Sequence, residues 1–211
     1  MPLGPRCGCS SILVHVTGSR RLSQALSEGD GISVLVNVVD AAAAAAAEEQ
    51  GAEGLVLDCA APGVRDATGL PVLYRGDSPD AARAAGADAW VLIAERHQEE
   101  GLELEEQYAL AVGLGLECVV DVRDEEELEL VLERVDPEIF LLSPREADDG
   151  EDALDRVLEL LPDVPAGKLA IAELAASTRD EVVSLERAGV DAVLVGGGDV
   201  AHLVGGPAPE V

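Results

Sequence analysis

Ala188-Gly-Val-Asp-Ala-Val-Leu-Val-Gly-Gly-Gly-Asp-Val200 is the stretch of sequence that decides the fold. Gly189 is typical of a helix end, and the continuous apolar run 192–195 is typical of a parallel strand buried on both faces. Three glycines follow this strand, and Asp199 can cap a short last helix. Backbone N–H groups between a strand end and a helix start can bind phosphate. The stretch therefore predicts the last unit of a phosphate-binding (β/α)8 barrel.

The rest of the chain alternates short apolar runs with helical patterns. Strands are predicted at 32–39, 54–58, 71–75, 89–94, 117–122, 139–143, 168–173 and 192–195. Helices are predicted at 40–50, 79–85, 99–114, 124–135, 152–161 and 178–188. Strands and helices that alternate in this way predict an α/β fold, the (β/α)8 TIM barrel, with a doubly wound open sheet as the alternative.

One unit of the predicted barrel is shorter than the others. Only residues 59–70 separate the second and third strands, and Pro62, Gly63 and Gly69 interrupt any helix there. We therefore expect the helix after the second strand to be missing or reduced to one turn. Its loss would leave apolar surface near Val56 and Val72, which a second copy of the chain or a protein partner could cover.

The domain organisation follows from the same pattern. We expect one barrel over 19–206, an N-terminal segment, 1–18, that either caps the barrel or is partly disordered, and a C-terminal tail, 207–211. A strand-like run at 10–16 and a helical pattern at 21–26 are expected to cap the bottom of the barrel or to extend beside it. Cys7 and Cys9 lack a second cysteine or histidine pair at zinc-binding spacing, so no metal site is predicted there.

The charge of the chain excludes several classes of partner. The net charge is −28, with 42 acidic and 14 basic residues, and Lys168 is the only lysine. The phosphates of nucleic acids and anionic membrane surfaces would be repelled. No apolar run is long enough to span a bilayer, and the first residues do not resemble a signal peptide, so we expect a cytoplasmic protein. A high-salt cytoplasm and a GC-rich genome explain the acidity equally well.

Polar residues follow the apolar strands at their carboxyl ends, where the chemistry of barrel enzymes takes place. They are Asn37, Asp58, Arg75, Glu95, Asp121, Arg123, Ser143, Arg145 and Glu173. Asp121 and Glu173 are predicted to form a carboxylate pair that shares a proton and performs acid/base chemistry. The alternative is a network of ion pairs with the three arginines. The four carboxylates in this set, Asp58, Glu95, Asp121 and Glu173, could also bind Mg²⁺. Their spacing is not diagnostic, so neither a metal nor a cofactor is predicted.

Gly196, Gly197 and Gly198 are the predicted phosphate-binding residues, and a tight turn that needs positive φ angles is the alternative. Asp199 competes with phosphate for the N–H donors. Because the loop 174–178 lacks glycine, Arg145 or Ser177 would have to supply further contacts.

Several blocks of the sequence resemble the indole-3-glycerol-phosphate synthase family. Gly115-Leu-Glu-Cys-Val-Val-Asp-Val-Arg-Asp-Glu-Glu-Glu-Leu128 is similar to its fifth strand and helix. Thr178-Arg-Asp-Glu-Val182 and 188–196 resemble its seventh helix and eighth strand, 81–89 its third helix, and 19–39 its first helix and strand. The resemblance implies a TIM barrel and a lyase of tryptophan biosynthesis. This lyase closes an indole ring by decarboxylation and dehydration of a phosphorylated anthranilate derivative.

The resemblance also implies roles for individual residues. Asp121, Glu173 and Arg75 fall on catalytic positions of the family. Asn37 and Ser143 fall on further positions of the family's site and are predicted, together with Arg145, to bind substrate.

Several of these positions depart from the family pattern. The Glu-x-Lys of the first strand becomes Asn37-Val38-Val39, and the stretch that holds the lysine general acid becomes Tyr74-Arg75-Gly76-Asp77. Ser-Gly after the seventh strand becomes Leu174-Ala175.

Because these lysines are replaced, we expect a divergent barrel that has lost the ring-closing activity and serves a non-catalytic role in assembly or regulation. The alternative is an active lyase or isomerase on a small phosphorylated metabolite, with Asp121 and Glu173 as acid and base.

Overall fold

The computed structural model describes residues 20–29, 31–97, 102–143, 153–174, 178–198 and 200–203. Its eight strands are all parallel, each pairs with the next along the chain, and the last pairs with the first. The strands are β1 (Ser33–Asn37), β2 (Gly54–Leu57), β3 (Val72–Tyr74), β4 (Ala89–Ile93), β5 (Glu117–Val122), β6 (Ile139–Leu142), β7 (Leu169–Glu173) and β8 (Ala192–Val195). The closed ring confirms the predicted TIM barrel and excludes the open sheet.

The helices alternate with the strands. They are α1 (Arg21–Glu28), α2 (Ala41–Glu49), α3 (Val64–Ala67), α4 (Pro79–Ala84), α5 (Leu102–Gly113), α6 (Glu125–Arg134), α7 (Ala153–Leu160) and α8 (Arg179–Ala188). Short 3₁₀ turns span Ala94–His97 and Leu161–Asp163. The expected short last helix is a turn in the described residues 200–203. Asp199, the segment 1–18 and the tail 207–211 lie outside the described residues.

The unit between β2 and β3 is reduced as the sequence predicts. Its helix, α3, has four residues, and Gly63 precedes it with a φ of 83°. The prediction of exposed apolar surface beside this helix was wrong, because Val56 and Val72 are both buried within the single chain. Val56 belongs to the cluster inside the barrel, and Val72 belongs to the same buried cluster as Val64 of α3 and Ala47 of α2. Small side chains on α2 allow close packing, so the short unit still covers its strands.

The barrel interior is a packed aliphatic core. Each strand contributes a buried side chain to one interior cluster: Leu35, Val56, Leu73, Val91, Val119, Leu141, Ile171 and Leu194. The alternate strand residues point outward and pack against the helices in a second cluster. Because side chains fill the interior, ligands can enter only at the ends of the barrel.

Helix α1 closes the bottom of the barrel. Leu22 and Leu26 are buried in the interior cluster. The backbone N–H groups of Leu22 and Ser23 donate to the Glu117 carboxylate at 2.7 and 3.0 Å, so this side chain caps the first turn of α1. Burial raises the pKa of Glu117, although the same hydrogen bonds oppose the shift. The helical pattern at 21–26 therefore caps the bottom and does not extend beside the barrel.

No helix in the described part of the chain combines the length and the apolar character that crossing a membrane requires.

Candidate active site

The carboxyl end of the barrel collects most of the predicted site residues. Asn37 and Glu173 are the last residues of β1 and β7, and Asp121 is the penultimate residue of β5. Arg75 and Ser143 directly follow β3 and β6. Parallel strands bring these five positions to one rim, which we call the mouth. Arg145 lies outside the described residues.

A chain of hydrogen bonds links four strands across the mouth. Asn37 Nδ2 donates to Asp58 Oδ2 at 2.7 Å. Arg75 Nε donates to Asp58 Oδ1, also at 2.7 Å, and Arg75 Nη1 donates to Glu173 Oε1. Side chains from β1, β7 and the residues that follow β2 and β3 thus form one polar connection.

Arg75 lies at the centre of this connection. Its side chain is only 18% exposed, and it is bound on both sides by carboxylates. Burial lowers the pKa of Arg75, but the hydrogen bonds and charges of Asp58 and Glu173 outweigh burial and raise it above the ordinary value. The guanidinium therefore stays protonated at any working pH and acts as a fixed cation.

Glu173 keeps one oxygen that the connection does not use. Oε1 accepts from Arg75, whereas Oε2 is buried and has no hydrogen-bond partner in the described part of the chain. An unpaired buried oxygen of this kind is unfavourable in a merely structural ion pair.

Asp121 and Ser143 form a separate pair deeper in the mouth. Ser143 Oγ donates to Asp121 Oδ1, and each residue is only 1% exposed. Asp121 is thus hydrogen-bonded to Ser143, whereas Glu173 is bound to Arg75. The ion-pair alternative describes Glu173 correctly.

Arg123 does not join this network. Its Nη1 lies 2.7 Å from Glu95 Oε1, and its Nε donates to Glu127 Oε1 at 2.8 Å. Glu127 is fully buried and also accepts from the backbone N–H of Arg123 at 2.9 Å. These bonds tie the end of β5 to α6, a role that the sequence analysis missed although the i, i+4 spacing of Arg123 and Glu127 indicated it.

The three glycines after β8 have three different environments. A Cβ on Gly197 would lie 2.8 Å from the carbonyl oxygen of Asn37. Gly198 has a φ of 144°, which L side chains rarely adopt. Gly196 has neither constraint, because its φ is not positive and a Cβ would meet no atom within 4 Å. The tight-turn interpretation therefore explains Gly198, whereas the close approach of Asn37 explains Gly197 and neither explains Gly196.

Two further points concern Lys168 and a metal ion. Lys168 precedes β7 at the opposite end of the barrel and pairs there with Asp136. The described residues contain no group of three or more His, Cys, Asp or Glu side chains placed to bind a metal ion.

The closed ring of eight parallel strands and the polar mouth define a (β/α)8 barrel with a site at the carboxyl ends of its strands. A sequence model of the indole-3-glycerol phosphate synthase family matches residues 79–200. The chain belongs to this family.

Curated relatives share this similarity over part of their length. The indole-3-glycerol phosphate synthase of Variovorax paradoxus (strain S110) is 37% identical over 132 residues, which are 60% of this chain and 48% of that protein. The enzyme of Shouchella clausii (strain KSM-K16) is 34% identical over 138 residues, or 63% and 53% of the two chains. The enzyme of Geobacillus sp. (strain WCH70) is 32% identical over 152 residues, or 70% and 56%. The chain thus spans about half the length of the curated relatives it matches.

Solved structures support the fold. The N-acetylmannosamine-6-phosphate 2-epimerase of Clostridium perfringens superposes with a TM-score of 0.63 at 14% identity and covers 81% of this chain and 87% of its own. A putative phosphonomutase from Burkholderia cenocepacia J2315 gives a TM-score of 0.60 at 18% identity, with 84% and 93% covered. At these identities the likeness concerns the barrel alone.

Proposed function

We propose that this chain is a non-catalytic member of its family, one that has lost the ring-closing lyase reaction and serves in assembly or regulation. The observation that carries the proposal is the state of Arg75. Where the family carries a lysine general acid, this chain holds a guanidinium that is bound by two carboxylates.

Proton transfer explains why this replacement matters. A general acid works best when its pKa lies near the working pH. A lysine in a barrel mouth can reach that range by burial, whereas a guanidinium does not give up its proton. Asp58 and Glu173 move the pKa of Arg75 further from that range. Arg75 can bind an anion or stabilise the fold, but it cannot donate the proton that dehydration requires.

Lys168 is the only lysine of the sequence, and it does not replace that residue. Lys168 lies at the bottom of the barrel, on the far side of the packed interior from the mouth. Val39, which matches the lysine of the first strand, has no ionisable group and is exposed. The proposed loss of activity therefore follows from substitutions at the mouth, which is the end of the barrel where the reaction takes place in the family.

The test is turnover of the family's phosphorylated anthranilate derivative, followed by the fluorescence of the indole product. We expect no product from the natural chain and no growth of a tryptophan auxotroph that lacks the synthase. The double variant Arg75→Lys/Val39→Lys returns an amine to both lysine positions, so product from this variant alone would tie the loss to them. Product from the natural chain that disappears in Glu173→Gln would overturn the proposal.

A specific observation supports a second candidate function, an active lyase or isomerase on a small phosphorylated metabolite. The unpartnered Oε2 of Glu173 could accept a proton from a substrate, and the backbone at Gly196, where an added Cβ would meet no atom within 4 Å, could bind its phosphate. This function predicts that sugar phosphates raise the melting temperature of the chain, since a ligand stabilises the state it binds. Gly196→Asp should abolish the shift without unfolding the protein, and the absence of any shift at millimolar ligand would exclude this candidate.

A role in assembly needs a partner, and we propose either a second copy of this chain or another protein. Because Val56 and Val72 are buried within the single chain, we expect the partner to bind elsewhere than beside α3. Light scattering tests the first possibility, because a monomer over the whole concentration range would exclude a homo-oligomer.

A further inference from the structure

The Arg75–Glu173 ion pair joins two strands, β3 and β7, that are far apart in the ring. In the closed order β1 to β8, three strands separate β3 from β7 on either side. The two strands therefore lie on opposite sides of the barrel. An ion pair between the residues at their carboxyl ends therefore crosses the middle of the mouth. We call Arg75 and Glu173 together the cross-mouth bar.

The bar is anchored on both sides. On the β3 side, Asp58 binds Arg75 Nε and is itself bound by Asn37 Nδ2, so the arginine is fixed to two neighbouring strands. On the β7 side, Glu173 is the last strand residue, and its side chain is 24% exposed. A guanidinium with two separate carboxylate partners is held in one orientation, because its N–H donors form a rigid planar fork.

The residues inside the mouth are less exposed than the bar. Asp121 and Ser143 are each 1% exposed, compared with 18% for the Arg75 side chain. Both are polar, and both continue the inward-facing alternation of their strands, because Val119 and Leu141 belong to the interior cluster. Their burial and the path of the bar agree with an entrance that the chain closes with its own side chains.

We infer that the cross-mouth bar is an autoinhibitory contact that keeps small molecules from Asp121 and Ser143, and that the mouth admits a ligand only when Arg75 and Glu173 separate. This inference extends the proposed function, since it rests on the same site, but it describes access and not turnover. An active natural chain would refute the proposed function and leave the bar as a gate.

Chemical labelling of a cysteine behind the bar tests the inference. The background protein carries Cys7→Ser, Cys9→Ser and Cys59→Ser, which removes the exposed thiol of Cys59. Cys118 remains, and burial raises the pKa of its thiol, so it contributes little thiolate. Ser143→Cys then reports access to the mouth, and methyl methanethiosulfonate is the probe. Val39→Cys is the matched control, because Val39 is 74% exposed on the same rim.

The expected rates differ with and without the arginine. In the background protein, Ser143→Cys should react at least tenfold more slowly than Val39→Cys. Adding Arg75→Ala should raise the Ser143→Cys rate at least tenfold and leave the Val39→Cys rate unchanged. Methylguanidinium at low millimolar concentration should restore the slow rate, because it can occupy the space between Asp58 and Glu173, whereas urea at the same concentration should not.

Equal Ser143→Cys rates with and without Arg75 would overturn the inference. A rise in both rates would mean that Arg75→Ala loosens the whole barrel, and circular dichroism checks this independently. Glu173→Ala then provides the second measurement, since it breaks the bar from the other side and leaves Arg75 bound to Asp58. A slow Ser143→Cys rate in folded Glu173→Ala would also refute the gate.

Discussion

Replacing each glycine of the 196–198 turn by alanine should have three different effects on stability. Gly197→Ala places a methyl group 2.8 Å from the carbonyl oxygen of Asn37, well inside ordinary van der Waals contact. The obstacle is backbone, which cannot rotate away as the end of a side chain can. Asn37 also cannot shift freely, because its side chain is bound to Asp58. The loop after β8 and the end of β1 must therefore separate by several tenths of an ångström.

The cost of this separation can be estimated from other tightly packed sites. Forcing an extra methyl into well-packed structure costs about 1–3 kcal/mol. For a domain of this size, each kcal/mol lowers the melting temperature by roughly 2–4 °C, so Gly197→Ala should lose about 2–12 °C. Gly198→Ala should lose about 1–3 kcal/mol for a different reason, the strained backbone at its φ of 144°. Gly196→Ala meets no neighbour and should be neutral or more stable by up to about 1 kcal/mol.

Thermal unfolding of the three variants at one fixed salt concentration measures these differences. Gly196→Ala is the internal control, since it adds the same methyl group one residue away. If Gly196→Ala were as destabilising as Gly197→Ala, the close approach between β8 and β1 would not be the cause. Gly197→Ala with an unchanged melting temperature would likewise refute the reasoning.

Four further predictions concern the barrel as a whole. Leu22→Ala should lose about 2–5 kcal/mol in urea unfolding, because it empties a buried site in the interior cluster; a loss below 1 kcal/mol would mean that α1 does not close the bottom. Burial raises the pKa of Glu117, so the folded chain holds that proton more tightly than the unfolded chain, and stability falls as pH rises above the ordinary carboxyl range. As pH rises above the ordinary carboxyl range, the free energy of unfolding of the natural chain should therefore fall relative to that of Glu117→Gln. Equal changes of this free energy with pH in the two proteins would contradict this. Thr178→Ala removes the capping box of α8 and should cost about 0.5–2 kcal/mol, whereas Thr178→Ser should be nearly neutral. The net charge of −28 predicts a melting temperature that rises with KCl, and an unchanged value between 0.1 and 2 M would exclude charge repulsion as a limit on stability.

The sequence predicted the barrel well because local and global signals agree there. The bounds of the strands differ from the predicted ones by two residues at most, since each apolar run is flanked by a glycine, a proline or a cap. Asp40, Ser78, Asp124 and Thr178 all cap the helices that follow them, as their positions before helical patterns suggest. The short unit at 59–70 was also predictable, because glycine and proline act locally.

The mouth was less predictable because its partners are distant in sequence. Arg75 and Glu173 are 98 residues apart, and only the closed ring shows that they meet across the barrel. The pairing of Asp121 with Ser143 depends in the same way on the register of β5 and β6. The burial of Val72 depends on how closely α2 and α3 pack, which periodicity does not report. Sequence patterns therefore identified the polar residues of the mouth but not their partners.

Each substitution in the mouth is explained by the charges of its neighbours. Asn37 stands where the family carries a glutamate, and its Nδ2 donates to Asp58 at 2.7 Å. A carboxylate at position 37 would instead face the Asp58 carboxylate, and two such charges about 4 Å apart repel by roughly 1–4 kcal/mol near a protein surface. The amide thus allows Asp58 to accept from Arg75, and the planar guanidinium binds Asp58 through Nε and Glu173 through Nη1. The proposed loss of the acid and the inferred closure of the mouth would therefore both follow from these substitutions. They pair with one another residues that the family resemblance places in the substrate site.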